Sequence, residues 1–323
     1  MKLQHKIAGT ILLPLAAAAM STTAHAEFSF GGYVAAEFSM DSTSVDGGSD
    51  TNDTSGSAVK SRFNLKKTNI GSSNATILFE GDYYGNGNQG NLRMRHALVM
   101  VDGWKIGQTW SSAANLNGIL PTVDFVGLTG TSVYANRHPM IARTMDMGGA
   151  KLSFGVEDWG KGTAGTDGPN IPDLAAGLSA NMGGASLFAG AALVNTNDSK
   201  GENTTYAHLT ASAKVAVADS MKLVGSVTHT GDDDTGTAEW TAVSAGVGAG
   251  LGGGLSANAM AEVKSFGASG SEDQTMVFVN AFYKMPSGLE FGVELQNVTD
   301  SYNKTTAKYE DRTNFNVQGK FAF

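Results

Sequence analysis

Arg312-Thr313-Asn314-Phe315-Asn316-Val317-Gln318-Gly319-Lys320-Phe321-Ala322-Phe323 closes the chain, and its reading decides the fold. Phe315, Val317, Phe321 and Phe323 share one face at period two, and Arg312, Asn314, Asn316, Gln318 and Lys320 share the other. Strict alternation over this length is a strand with one apolar and one wet face. A tilted strand of a membrane barrel needs about 9–11 such residues, apolar toward lipid and polar toward the lumen.

Working back from this end, the chain reads as a series of similar segments. Strands are expected over 28–40, 59–69, 75–84, 91–101, 104–110, 137–147, 151–159, 174–182, 186–194, 205–217, 222–230, 239–249, 255–265, 275–284, 289–299 and 312–323. Short connections such as Asp102-Gly103, Gly148-Gly149, Gly183-Gly184 and Pro286-Ser287-Gly288 fall on every second junction. Gly and Asp supply the positive φ that tight hairpins need. The remaining junctions are longer and, apart from 111–136, polar. The expected fold is therefore all-β: a 16-stranded antiparallel transmembrane β-barrel with short periplasmic turns and long outer loops. An even strand count places both termini on the periplasmic side. Closure pairs every backbone N–H and C=O inside the bilayer. Sixteen strands also leave an aqueous channel, because side chains alone do not fill so wide a lumen.

The amino terminus fits export. Lys2 and Lys6 precede a short apolar run, and Ala24-His25-Ala26 has the small-x-small cleavage pattern. Residues 1–26 are expected to be a signal peptide and 27–323 one barrel domain. Losing Lys2 and Lys6 takes the net charge from −8 to −10. An acidic chain of this kind argues against nucleic acid as a partner. There is no cysteine, so neither disulfides nor thiolate metal sites hold the exported protein. Hydrophobic content is 41%, and lumen and lipid residues cancel in any window average, which hides the membrane signal of a barrel.

Alternation also assigns the lumen. Arg62, Arg93 and Arg95 are expected to point inward. Arg143 is expected to join them, because an Arg facing lipid at the midplane costs roughly 2–4 kcal/mol. These four would form a basic ladder, with Glu80 and Asp82 inside as well and Glu290 and Glu294 on an opposing acidic wall. His96 falls on the outer face with Leu92, Met94, Leu98 and Met100, a polar outward position that suits a subunit interface or an interfacial girdle. Residues 111–136 are the longest connection and are too apolar for a solvent loop, with Leu116, Ile119, Leu120, Val123 and Phe125 among them. Long ordered loops are usually functional. This one is expected to fold inward and constrict the channel, with Asp124 facing the arginines; alternatively it packs in an outer vestibule or plugs the tube.

No cofactor, metal or catalytic set is expected. The histidines beyond residue 26 are His96, His138, His208 and His229, and neither a Gly-x-Ser-x-Gly elbow nor a His-Glu-x-x-His pair occurs. The acidic run at Gly231–Gly236 lacks the ligand spacing of a calcium loop. It reads as a solvated outer loop, where divalent ions would bridge to lipopolysaccharide of the surrounding outer-membrane lipid.

The motif series Gly81-Asp82-Tyr83-Tyr84-Gly85, Asn91-Leu92-Arg93-Met94-Arg95-His96-Ala97 and Trp104-Lys105-Ile106-Gly107-Gln108-Thr109-Trp110-Ser111, followed by Pro121-Thr122-Val123-Asp124-Phe125, resembles Gram-negative porins of the DcaP-like, dicarboxylate-associated type. The terminal phenylalanine also resembles the signal read by the barrel-insertion machinery. The resemblance covers roughly 59–147 closely and the rest in architecture. It implies a homotrimer, a constriction loop after the fifth strand, and passive passage of small anionic, carboxylate-bearing solutes. The amino-terminal helical extension common in that type has no counterpart between residue 26 and the first strand. A non-specific diffusion porin and a plugged structural barrel are the competing expectations.

Overall fold

The structure, a computed structural model, describes residues 27–71, 74–85, 91–123, 137–159, 171–197, 203–231, 239–267, 273–303 and 308–323. The expected signal peptide, Asp124 and residues 232–236 of the acidic run lie outside these. The strands are β1 (Glu27–Val45), β2 (Thr51–Ser57), β3 (Arg62–Ile70), β4 (Ala75–Gly85), β5 (Asn91–Val101), β6 (Trp104–Trp110), β7 (Arg137–Asp146), β8 (Ala150–Glu157) and β9 (Asp173–Met182). They continue with β10 (Ala185–Asn197), β11 (Asn203–Ala218), β12 (Met221–Thr230), β13 (Trp240–Gly252), β14 (Leu255–Phe266), β15 (Gln274–Lys284), β16 (Leu289–Asn303) and β17 (Lys308–Ala322).

Every neighbouring pair is antiparallel, and β17 returns to β1, which closes the barrel. β2 and β3 are one interrupted stave, because β1 pairs with β2 over 37–43 and with β3 over 27–33. Counting them together gives the expected sixteen staves. At the interruption Ser61 replaces the ladder: its Oγ accepts from Ala35 N at 3.0 Å and donates to Ala35 O at 3.2 Å.

β17 confirms the reading of the terminal stretch. Asn314, Asn316 and Gln318 are buried toward the inside, whereas Phe315, Phe321 and Phe323 are exposed on the outside. The last residue is part of the seam, since Gly32 and Phe323 exchange both backbone hydrogen bonds at 3.1 Å. Gly32 has a φ of +152°, and a Cβ there would lie 2.1 Å from the Arg62 carbonyl oxygen. Glycine is required where β1 turns against β3 and the terminus together.

Among the described residues no helix is long and apolar enough to cross a membrane. The crossing is made by strands. The first outer connection, expected as a loop over 41–58, is instead largely ladder, with β1 running to Val45 and β2 starting at Thr51. Its residues are mostly Ser, Thr, Asp, Asn and Gly, so the apolar alternation stops here while backbone pairing goes on.

Candidate functional site

The site is the inner wall of the barrel and the loop that enters it. On β3, β4 and β5 the alternation turns Arg62, Glu80, Asp82 and Arg93 inward, and Asp82 lies across the ladder from both Arg62 and Arg93. Arg93 grips Asp82 with two bonds, Nε to Oδ1 at 3.0 Å and Nη2 to Oδ2 at 2.7 Å. Arg95 bridges the two acids, donating from Nε to Glu80 at 2.7 Å and from Nη1 to Asp82 at 3.0 Å. Arg62 Nε lies 3.4 Å from Glu80, and its guanidinium sits 5.1 Å from the centre of the Tyr33 ring. Planar guanidinium groups match carboxylates two bonds at a time, which orders the cluster as well as neutralising part of it. Three of the four expected ladder arginines are therefore together with the two expected acids: Arg62 beside Glu80, Arg93 on Asp82, and Arg95 on both.

Arg143 is not among them. Arg143 pairs across the ladder with Trp104 and Phe154 on the outer face, and its guanidinium lies 5.4 Å from the Trp104 ring centre. The expectation failed on depth. Thr144 N donates to Gly103 O at 2.7 Å, so Arg143 is level with the periplasmic turn at Asp102-Gly103. Near an interface the penalty for an outward Arg falls to about 0–1 kcal/mol, and a long side chain reaches water while its stem stays in lipid.

His96 is also corrected. Glu80 faces His96 and Gly81 faces Met94, so Arg95 is the extra residue of a β-bulge. The extra residue shifts the alternation, and Arg95 and His96 both point inward. Leu98 follows to the inside and is buried, while Val99 becomes the exposed residue. His96 Nδ1 lies 2.9 Å from Thr109 Oγ1, and Nε2 lies 3.9 Å from Glu80. The carbonyls disturbed by the bulge are met from β6, where Gln108 Nε2 donates to Met94 O at 2.9 Å and to Arg95 O at 3.5 Å.

Arg137 was not foreseen as a site residue. It begins β7, stacks 3.8 Å from the Trp110 ring centre, and interacts electrostatically with Arg95, Arg62, Arg93 and Glu80. Lys60 and Glu37, paired to each other and both nearly buried, lie at the stave break. The position of Lys60 follows from the break between β2 and β3, which alternation does not reveal.

The loop explains the other wall. Its described part, 111–123, follows the inside of the barrel from β8 to β16. Ser112 N donates to Glu157 at 2.7 Å. Asn115 Nδ2 donates to Thr210 at 2.7 Å, and its Oδ1 accepts from Ser212 at 2.6 Å. Asn117 donates to Ser186 O at 2.9 Å. At the far end Asn280 Nδ2 donates to Pro121 O at 2.8 Å, and Val123 N donates to Glu294 at 2.9 Å. Between these anchors Leu120 is buried against Val224, Met260, Met276 and Phe278, a burial that contributes about 1.5–3 kcal/mol. Wall glycines make room: a Cβ on Gly177 would lie 2.0 Å from Ser112 O. Of the apolar residues that made this loop unlike a solvent loop, Ile119, Leu120 and Val123 are its packing face, Leu116 is exposed, and Phe125 lies outside the described residues.

The expected acidic wall changes with it. Glu294 is 1% exposed and is engaged by Val123 and Asn280. Glu290 pairs with Lys320. Glu294 holds the loop in place, and Glu290 is neutralised.

Comparison with known proteins agrees with this geometry. The family pattern described as Gram-negative porin matches residues 14–322. The outer membrane channel DcaP of Acinetobacter baumannii superposes with a TM-score of 0.79 at 19% identity, over 94% of this chain and 99% of that one. A trimer form of OmpT from Vibrio cholerae gives 0.62 at 12% identity, over 92% and 99%. Salmonella typhi OmpF, solved with daunomycin, gives 0.67 at 11% identity, over 91% and 97%. At these identities the structures share the fold. No curated protein sequence matches the chain.

Proposed function

The chain belongs to the Gram-negative porin family, a family of outer-membrane channels, and we propose that it works as a passive diffusion channel for small hydrophilic solutes with a mild preference for anions. The solute passes between the inward loop and the wall of β3–β7. The observation that carries this is the division of the inner surface. The described part of the loop covers β8 to β16, and the charged cluster stands on the staves it leaves uncovered. Four guanidinium groups, Arg62, Arg93, Arg95 and Arg137, share that wall with two carboxylates, Glu80 and Asp82, leaving a formal excess of two positive charges. A low-dielectric tube focuses such an excess onto a passing ion. A solute carboxylate competes with Glu80 and Asp82 for the same guanidinium groups, so it is drawn in and held weakly.

The pairing itself favours a second reading, the general diffusion porin. Arg93 and Arg95 already make charge-assisted bonds to acids, which lowers the bias that bare arginines would give. Residues 27–323 act as one barrel behind a cleaved leader, and the assembly proposed is a homotrimer, as in the trimer form of OmpT. Liposome swelling tests the reading: mono- and dicarboxylates should enter faster than neutral sugars of equal mass. Equal rates would select the unselective channel.

A further inference from the structure

We propose that the outer wall over β7–β10 binds an anionic glycerophospholipid of the periplasmic leaflet, with Arg143 holding the phosphate and the adjoining hollow holding an acyl chain. The hollow is a concavity of about 630 Å³ in the lipid-facing surface, within the roughly 300–1,000 Å³ of small-molecule sites. Ala176 and Ala191 face each other across the β9–β10 ladder and form its floor. Ile141, Phe154, Leu174 and Leu193 are its exposed walls. Small residues at the centre and large ones around them leave a furrow that a flexible hydrocarbon chain fills and a flat wall would not.

Charge complementarity names the occupant. Arg143 stands beside the furrow, across the ladder from Phe154 and Trp104, neither of which carries charge. It is level with the periplasmic turn at Asp102-Gly103. The furrow extends from there toward the bilayer centre, since Ile141, Leu174 and Leu193 lie on the outer side of Arg143, Ala176 and Ala191 along their strands. A phospholipid of the periplasmic leaflet has this order, phosphate at the interface and chains above it. Guanidinium pairs with phosphate through two parallel bonds, and the indole beside it suits the interface.

Trp104 makes the site measurable, because it lines the hollow. The probe is fluorescence quenching of the protein in bilayers containing phosphatidylglycerol or phosphatidylcholine with brominated chains. Trp104→Phe isolates the signal of this tryptophan from the other three. One basic residue near the surface is expected to favour the anionic lipid about fivefold in association. Arg143→Gln should bring the two lipids to parity, and Arg143→Lys should keep most of the preference. Each variant is first shown folded by the mobility difference between heated and unheated protein. A preference that survives Arg143→Gln overturns the site. So does a Trp104 that neither lipid quenches, which is the result if a second copy of the chain covers this wall.

Discussion

Arg95 donates from Nε to Glu80 at 2.7 Å while its Nη1 reaches Asp82 at 3.0 Å, so one side chain ties two neighbouring carboxylates of β4. It does so from a bulge, which aims it along the wall. Arg95 is 8% exposed at the side chain and Asp82 2%, whereas Arg93 is 39% exposed. Breaking a buried pair from one side costs about 3–5 kcal/mol, whereas loss of the part-exposed Arg93 still leaves Asp82 held by Arg95. Arg95→Ala should therefore destabilise the barrel clearly more than Arg93→Ala. Urea unfolding from bilayers, read by intrinsic fluorescence, compares the two; equal losses would remove the bridging role of Arg95.

The double variant Arg93→Ala with Arg95→Ala tests charge. It removes two of four cations and leaves both acids. Anion preference should be lost or reversed, with the barrel still folded. An unchanged reversal potential would take the cluster out of the permeation path.

The described part of the loop, 111–123, is held at both ends by carboxylates, Glu157 at Ser112 and Glu294 at Val123. A hydrogen bond to a charged group contributes about 1.5–3 kcal/mol. Glu157→Gln with Glu294→Gln should loosen the loop and raise open-channel noise in single-channel records. Records as quiet as those of the parent protein would show that packing around Leu120 suffices.

Space is the other anchor. A Cβ on Gly177 would lie 2.0 Å from Ser112 O. Gly177→Val should push the loop off the wall and into the lumen, lowering conductance while leaving the outer surface unchanged. At the seam, Gly32→Ala places a methyl group 2.1 Å from Arg62 O. The strain, about 1–3 kcal/mol, should lower the temperature at which the folded band is lost on a gel.

Fold and site were legible in the sequence to different degrees. The terminal stretch shows strand, face and membrane at once, because period-two alternation ending in Phe323 has few other physical readings. Stave count followed from turn chemistry at positions such as Asp102-Gly103. The inward loop was legible through its misplaced apolar residues, Ile119 and Leu120 above all. Side-chain direction was legible only where alternation ran unbroken. One bulge at Arg95 sent His96 and Leu98 to the opposite face from the one their spacing gives. Nothing in Arg-Met-Arg-His-Ala announces it, since a bulge is set by the partner strand. Arg143 differs for another reason: it shares parity with Ile141, which leaves its side ambiguous, and the midplane cost of an outward Arg does not hold at the interface where it sits. Alternation places Glu294 inside on an acidic wall but does not reveal its role in holding the loop, because its partner, Val123 N, is 171 positions away.

The most direct measurement is the reversal potential of the channel in a planar bilayer under a salt gradient, for the parent protein and for Glu80→Gln with Asp82→Asn. We expect stepwise openings, a mild anion bias in the parent, and a marked rise of that bias when the two acids lose their charge and the four guanidinium groups stand alone. Openings whose bias is the same in both proteins, or a folded barrel that never opens, would contradict a passage running along this wall.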